Sequence, residues 1–144
     1  MQTPQLTSPP RDPAGGFRYE IGIAGWRGKI VLCGGKHTAG KLRYLSVCHK
    51  YDINTDSWSQ MASMNEPRAS FALVNFNHKL VALGGFHPLP LNWTRPMQVF
   101  GIGTSSEYRR SRSIEEYDPE SDTWFYLNTT INSARWNLKA VTLH

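Results

Sequence analysis

GKIVLCGG at 28–35 returns fifty residues later as HKLVALGG at 78–85. An apolar, β-branched run that stops at a double glycine is thus a repeated element of this chain. Working outward, YDINTDSW (51–58) returns as YDPESDTW (117–124), and Arg18 and Arg68 each stand sixteen residues before the first glycine of their pair. Between arginine and glycine the apolar positions match without a gap: Ile21 with Phe71, Ile23 with Leu73, Ala24 with Val74, Trp26 with Phe76. NEPRASFALV (65–74) finds an echo in NSARWNLKAV (132–141), with Arg135 in the place of Arg68. A fixed period redefines the fold, because stacked repeats share one core.

Each unit predicts four short strands. An apolar run follows the arginine and turns near Gly28 or His78. A β-rich run (Ile30–Cys33, Leu80–Leu83) then leads to the double glycine, a variable loop, a strand ending in tyrosine and a strand beginning at tryptophan. No stretch keeps a period of 3.6 over ten residues, so the class is all-β. The Asp, Asn, Ser and Pro between Tyr51 and Asp56, and between Tyr117 and Asp122, are hairpin-turn chemistry. That places the tyrosine and tryptophan on opposite strands of one hairpin, where they supply the apolar area a small sheet buries against its neighbour.

An apolar strand ending in Gly34-Gly35 or Gly84-Gly85, then Tyr51 or Tyr117 with aspartate, Trp58 or Trp124 seven residues on, and an arginine opening the next unit resembles the kelch repeat. The resemblance covers residues 18–143, and MNEPRASFALVNFNHKLVALGG (64–85) is similar to the joins between units in animal BTB–kelch proteins. It implies β-propeller blades of four strands each: repeat 1 over 18–64, repeat 2 over 65–131, and the start of repeat 3 over 132–144, after a disordered segment over 1–17. A ring closes with about four to eight blades, so the sequence predicts an incomplete propeller. It would be a segment of a longer protein, a truncated product, or a piece that completes itself by association through its open blade faces.

The second unit departs from the first in one large respect. Thirty-one residues separate Gly85 from Tyr117 against fifteen between Gly35 and Tyr51, a sixteen-residue insertion within 86–113. Pro88, Pro90 and Pro96 argue against regular strand there, while Trp93, Met97, Phe100 and Tyr108 are apolar for a loop. The stretch reads equally as a tolerated surface insertion and as a recognition loop. RRSRS (109–113) has the form of a basophilic kinase site at Ser111 or Ser113.

The charge of +5 and pI near 9.4 raise the question of nucleic acid. Residues 1–50 carry eight Lys/Arg against two Asp/Glu, yet these cations are scattered singly, and the only tight cluster is Arg109, Arg110 and Arg112. Phosphate tracking needs several cations converging on one face, so a solvated basic surface is the expectation, with no nucleic acid and no membrane partner. No apolar run reaches the ~20 residues of a membrane helix. Cys33 and Cys48 make no disulfide framework, and the expectation is two free thiols in a cytoplasmic protein.

No catalytic constellation, cofactor motif or metal set is found, so the chain reads as a non-enzyme. His37 and His87 each follow a double glycine by two residues, which repeat descent explains without a metal. Two sequons, at Asn92 and Asn128, matter only in a secreted chain. The kelch resemblance implies a face that grips a protein or peptide, built from the loops before the innermost strands and the middle loops. Candidates for it are Arg68, Arg135, His37, His87, Trp93, Tyr108, Arg109, Arg110 and Arg112, since arginine there clamps a carboxylate or phosphate. Arg18 is read as structural. Similarity to BTB–kelch proteins implies substrate recognition for a cullin-based ubiquitin ligase, from a stretch that lacks the BTB part and by itself recruits no cullin. The rivals are an actin-associated kelch protein, a galactose-oxidase-like copper enzyme and a nucleic-acid binder.

Overall fold

The computed structural model describes residues 17–37, 43–88 and 108–132, and among these all regular structure is β. In chain order the strands are β1 (Arg18–Tyr19), β2 (Gly22–Trp26), β3 (Lys29–Cys33), β4 (Lys36–His37), β5 (Arg43–Tyr44), β6 (Cys48–Asp52) and β7 (Ser57–Met61). The second unit follows with β8 (Ala72–Phe76), β9 (Lys79–Leu83), β10 (Phe86–Pro88), β11 (Tyr108–Arg110), β12 (Ser113–Asp118) and β13 (Thr123–Thr130). Two four-stranded antiparallel sheets result, ordered β2-β3-β6-β7 and β13-β12-β9-β8, which are the two blades the repeat predicts.

The hairpins follow from local chemistry. Arg27-Gly28 joins β2 to β3 with φ of 50° and 71°, and Asn77-His78 joins β8 to β9 with φ of 50° and 64°. Two successive positive φ values make the tight turn that matches strand twist. In the outer hairpins Tyr51 lies directly opposite Trp58 and Tyr117 opposite Trp124, with ring centroids 5.0 and 5.3 Å apart. Asp52 and Asp118 each accept a backbone N–H two residues on, at 2.9 and 3.0 Å, which starts both turns.

The core lies between the blades. Alternation along β2 turns Gly22, Ala24 and Trp26 inward, beside Val31, Cys33, Cys48 and Met61. Phe71, Leu73, Leu80, Ala82, Tyr117 and Trp124 of blade 2 meet them. Trp26 and Tyr117 pack edge to face at 5.6 Å, the Trp26 indole N–H donates to the His78 carbonyl, and the Trp124 indole donates to the Ala62 carbonyl. The double glycines are required by close approach. Gly34 and Gly35 have φ of 64° and 91°, and a Cβ on Gly34 would lie 2.4 Å from the Arg68 carbonyl oxygen.

Two expectations are corrected. Cys33 and Cys48 are joined by a disulfide, because they occupy directly opposed positions on β3 and β6, with Cα atoms 4.2 Å apart. Pro88 belongs to a strand: β10 pairs with β11 in a two-stranded ribbon, Pro88 opposite Tyr108. The last residue of an outer ribbon strand tolerates a missing N–H. Blade 1 pairs β4 with β5 in the same place and adds β1 on the other edge of β4. Of the segment 1–17 only Phe17 is described, and the start of repeat 3 beyond residue 132 lies outside the described residues.

Candidate partner-binding surface

The strand registers set two ends on each blade. The glycines and the ribbons stand at one end, and the hairpin turns at 27–28, 53–56, 77–78 and 119–122 at the other. At the glycine end an arginine anchors each blade. Arg18 donates to the carbonyls of Gly34, at 2.5 Å, and Val47, and reaches His49 Nδ1 at 3.4 Å. Arg68 repeats this pattern, donating to the Gly84 carbonyl at 2.8 Å and the Ser113 carbonyl at 3.2 Å. Where blade 1 has His49, blade 2 has Glu115, which takes Arg68 Nε at 3.2 Å and the Asn65 backbone N–H at 2.7 Å.

Around this pair the polar groups form a closed network. Glu66 accepts from Arg68 at 2.9 Å, from Ser111 at 2.9 Å and from the Ser113 hydroxyl, and His87 Nε2 lies 3.7 Å from its other oxygen. Burial opposes the Glu66 charge, but the serine hydrogen bonds and the Arg68 charge outweigh it, and its pKa lies below the usual carboxylate range. Among the described residues no buried side-chain polar atom lacks a hydrogen-bond partner. The network is a structural clamp rather than an open site.

Three residues of the expected partner-gripping set are buried. Arg68 has no exposed surface, His37 is 1 % exposed and His87 7 %. Ser111, a candidate kinase target, is likewise buried and hydrogen-bonded to Glu66, so phosphorylation would require this corner to open and would set a phosphate against a carboxylate. Arg110 and Arg112 are exposed at the glycine end of blade 2, Arg112 tied to the carbonyls of Ile131 and Asn132. Tyr108 and Arg109 sit on β11 opposite Pro88 and His87, at the root of the insertion. Trp93 and Arg135 lie outside the described residues.

Sequence reading missed the buried acids. The signal was present: in SIEEYD, Glu115 is two residues before Tyr117 and so shares its buried face, where a carboxylate demands a cation. It also missed a cleft of about 500 Å³ at the turn end, lined by Trp26, Arg27, His78, Asp118, Glu120 and Phe125 among others. Arg27 stacks over Trp26 there, 4.7 Å from the ring centre. Among the described residues no helix is long and apolar enough to cross a membrane.

Residues 18–65 match the kelch motif. The chain is 26 % identical over 114 residues to the Caenorhabditis elegans kelch repeat and BTB domain-containing protein F47D12.7, covering 79 % of this chain and 16 % of that protein. It is 33 % identical over 107 residues to mouse kelch-like protein 35, covering 74 % of this chain and 14 % of the relative. Over 85 residues it is 33 % identical to the human influenza virus NS1A-binding protein, covering 59 % of this chain and 13 % of that protein. The chain thus spans about a sixth of the length of the curated relatives it matches. In fold it matches the solved structure of YjhT with a TM-score of 0.62 at 18 % identity, over 85 % of this chain and 40 % of that one. With two four-stranded blades, paired glycines and Tyr–Trp hairpins in register, the chain is built of kelch-type repeats and is similar to kelch-like and BTB–kelch proteins.

Proposed function

We propose that the chain recognises a protein partner through the loop carried by the ribbon of blade 2, as the substrate-binding portion of a kelch-like adaptor of a cullin-based ubiquitin ligase. One observation carries this reading. Among the described residues the buried side-chain polar atoms are all hydrogen-bonded, whereas β10 and β11 flank in sequence the longest insertion in the chain, at the end where Arg110 and Arg112 are exposed. A rigid scaffold presenting a variable loop is the usual division of labour in recognition. Exposed arginines at the loop root favour an acidic or phosphorylated peptide.

The test replaces residues 89–107 with the shorter connection of blade 1 and compares the proteins cross-linked to each form in cells. Partners lost on shortening, and weakened by Arg110→Glu with Arg112→Glu, support the proposal. An unchanged partner set sinks it, and co-sedimentation with actin filaments that survives shortening favours the cytoskeletal rival. The same reading assigns no chemistry to the chain, and turnover of a substrate by the purified protein would reverse that.

Kelch-like adaptors for ubiquitin ligases imply the cytoplasm. The Cys33–Cys48 disulfide stands on the other side, since disulfides persist in oxidising compartments, and the exposed sequon at Asn128 stands with it. Thiol trapping on the chain drawn from cells decides between them. Free thiols and unmodified Asn128 support the cytoplasm; a fully oxidised, glycosylated chain replaces it with a secretory location.

A further inference from the structure

We propose that Cys33 and Cys48 form a redox latch at the seam between the blades. Closed as a disulfide, the pair holds the joint that carries Arg68; opened by a thiol reductant, it loosens that joint while the fold persists. Such a latch needs a compartment that holds reductant, as the proposed function does, but it is tested on the purified chain, so the two readings fail separately.

A ladder of backbone hydrogen bonds runs from the crosslink to the joint. Next to the cysteines the Gly34 N–H donates to the Val47 carbonyl at 2.9 Å, and the Leu45 N–H donates to the Gly35 carbonyl at 2.8 Å. The following bonds leave blade 1. Gly35 donates to the Arg68 carbonyl at 2.6 Å, Arg68 donates to the Leu45 carbonyl at 3.0 Å, and Met64 donates to the Ser46 carbonyl at 2.9 Å. Both cysteines are fully buried, in the same inter-blade core as Met64 and Phe71. The covalent tie of this ladder therefore stands directly beneath the backbone that positions Arg68, the buried arginine of the blade 2 clamp.

The opened state is provided for as well as the closed one. Cys48 Sγ lies 3.8 Å from the Ser46 carbonyl oxygen, so the thiol that reduction creates finds an acceptor, and it is the carbonyl that takes the Met64 N–H. Arg18 donates to the carbonyls of Gly34 and Val47, which adjoin the two cysteines, and so holds the opened sulfurs within reach of each other. The corresponding pair in blade 2, Leu83 opposite Ile114, carries no crosslink and lies in a sheet of the same order. A buried thiol packs as a small apolar side chain, so this position suits either form.

The step balances with a thiol of the glutathione class as reductant. Its thiolate attacks one sulfur, the S–S bond breaks and a mixed disulfide forms, which a second reductant thiolate resolves. Two electrons and two protons enter the chain as two thiols, and the reductant leaves as its own disulfide. Because the sulfurs are buried, attack waits on local opening of the ladder. Reduction then removes the ladder's covalent tie, so the amides beyond it open more often.

The experiment places the purified full chain in buffers of graded reduced-to-oxidised glutathione ratio. Free thiols are read by alkylation and mass, and amide exchange by NMR. The pair is expected to pass from disulfide to thiols within that series. In the thiol form the Met64 and Arg68 amides are expected to exchange about tenfold faster, while those of Leu80 and Ala82 in β9 stay protected and circular dichroism is unchanged. Cys33→Ala combined with Cys48→Ala is expected to exchange at the thiol-form rate in every buffer. A pair that resists glutathione at every ratio is a structural crosslink and overturns the proposal. So does a pair that stays as thiols in oxidised glutathione, a reduced chain that unfolds, or Met64 and Arg68 amides that exchange alike in both forms. A redox response of those amides that survives in the double variant overturns it too.

Discussion

The glycine ends of the two blades share one backbone plan and are locked by different chemistry. In both, an arginine sixteen residues upstream donates to the carbonyl of the first glycine and to a carbonyl, Val47 or Ser113, at the head of the blade's third strand. In blade 1 the adjoining strands are then crosslinked by Cys33–Cys48, and the arginine ends against His49. In blade 2 Leu83 and Ile114 occupy the cysteine positions, and Arg68 is fixed by Glu115 and Glu66. The lesson is that the repeat preserves backbone acceptors, which every residue supplies. The side chains completing the lock are free to differ, provided that each buried charge finds a partner.

The largest effect that tests this contrast comes from removing each arginine. Arg68→Met leaves Glu115 buried without its cation and is expected to cost about 3–5 kcal/mol in urea unfolding. Arg18→Met loses hydrogen bonds at a half-exposed site and is expected to cost about 1 kcal/mol. Equal losses would erase the distinction between the two locks.

Next in size is reduction of the disulfide. Its crosslink spans fifteen residues of sequence, a loop whose closure contributes about 3 kcal/mol in the chain-entropy account. Dithiothreitol is expected to lower amide protection in β3 and β6 well before it touches β9 and β12. Uniform loss of protection would show that the blades open as one unit.

Acid acts on the other lock. The Glu66 pKa is lowered in the folded chain, so its stabilisation is complete above the ordinary value of 4.5 and lost as pH falls through the lower folded one. Asp122, held low by the Tyr117 hydroxyl and the Ala62 N–H, acts in the same sense at the blade junction. Below about pH 4, exchange in blade 2 is therefore expected to rise before that in the disulfide-bonded blade 1. Blade 1 opening first in acid would reverse the assignment of locks.

The smallest effect concerns the turns. Gly28 takes positive φ without strain, whereas His78 holds φ of 64° with a side chain. His78→Gly is expected to stabilise the chain by about 0.5–1 kcal/mol, read as a shift of the urea midpoint. Gly28→His is expected to do the opposite.

Much of the fold was legible in the sequence because its signals are local. The turn pairs, the Tyr–Trp spacing and the double glycines each encode a backbone geometry within a few residues, and all sit where the repeat puts them. The disulfide was not legible, because composition argues about compartments whereas pairing depends on strand register. The candidate site was legible only in part. Arg110 and Arg112 are exposed, whereas Arg68, His37 and His87, which look the same in sequence as surface residues, are buried.

The sequence by itself determined where strands start and stop, which residues turn, and that two copies of one blade lie in tandem. Those are consequences of φ preference and period-two patterning, which act along the chain. Only the tertiary structure decided which repeated side chains are clamps and which are buried between the blades, because burial is a property of what lies across the sheet. Phe76 makes the point: its repeat equivalent Trp26 is buried between the blades, and position across the sheet, not residue type, sets the difference.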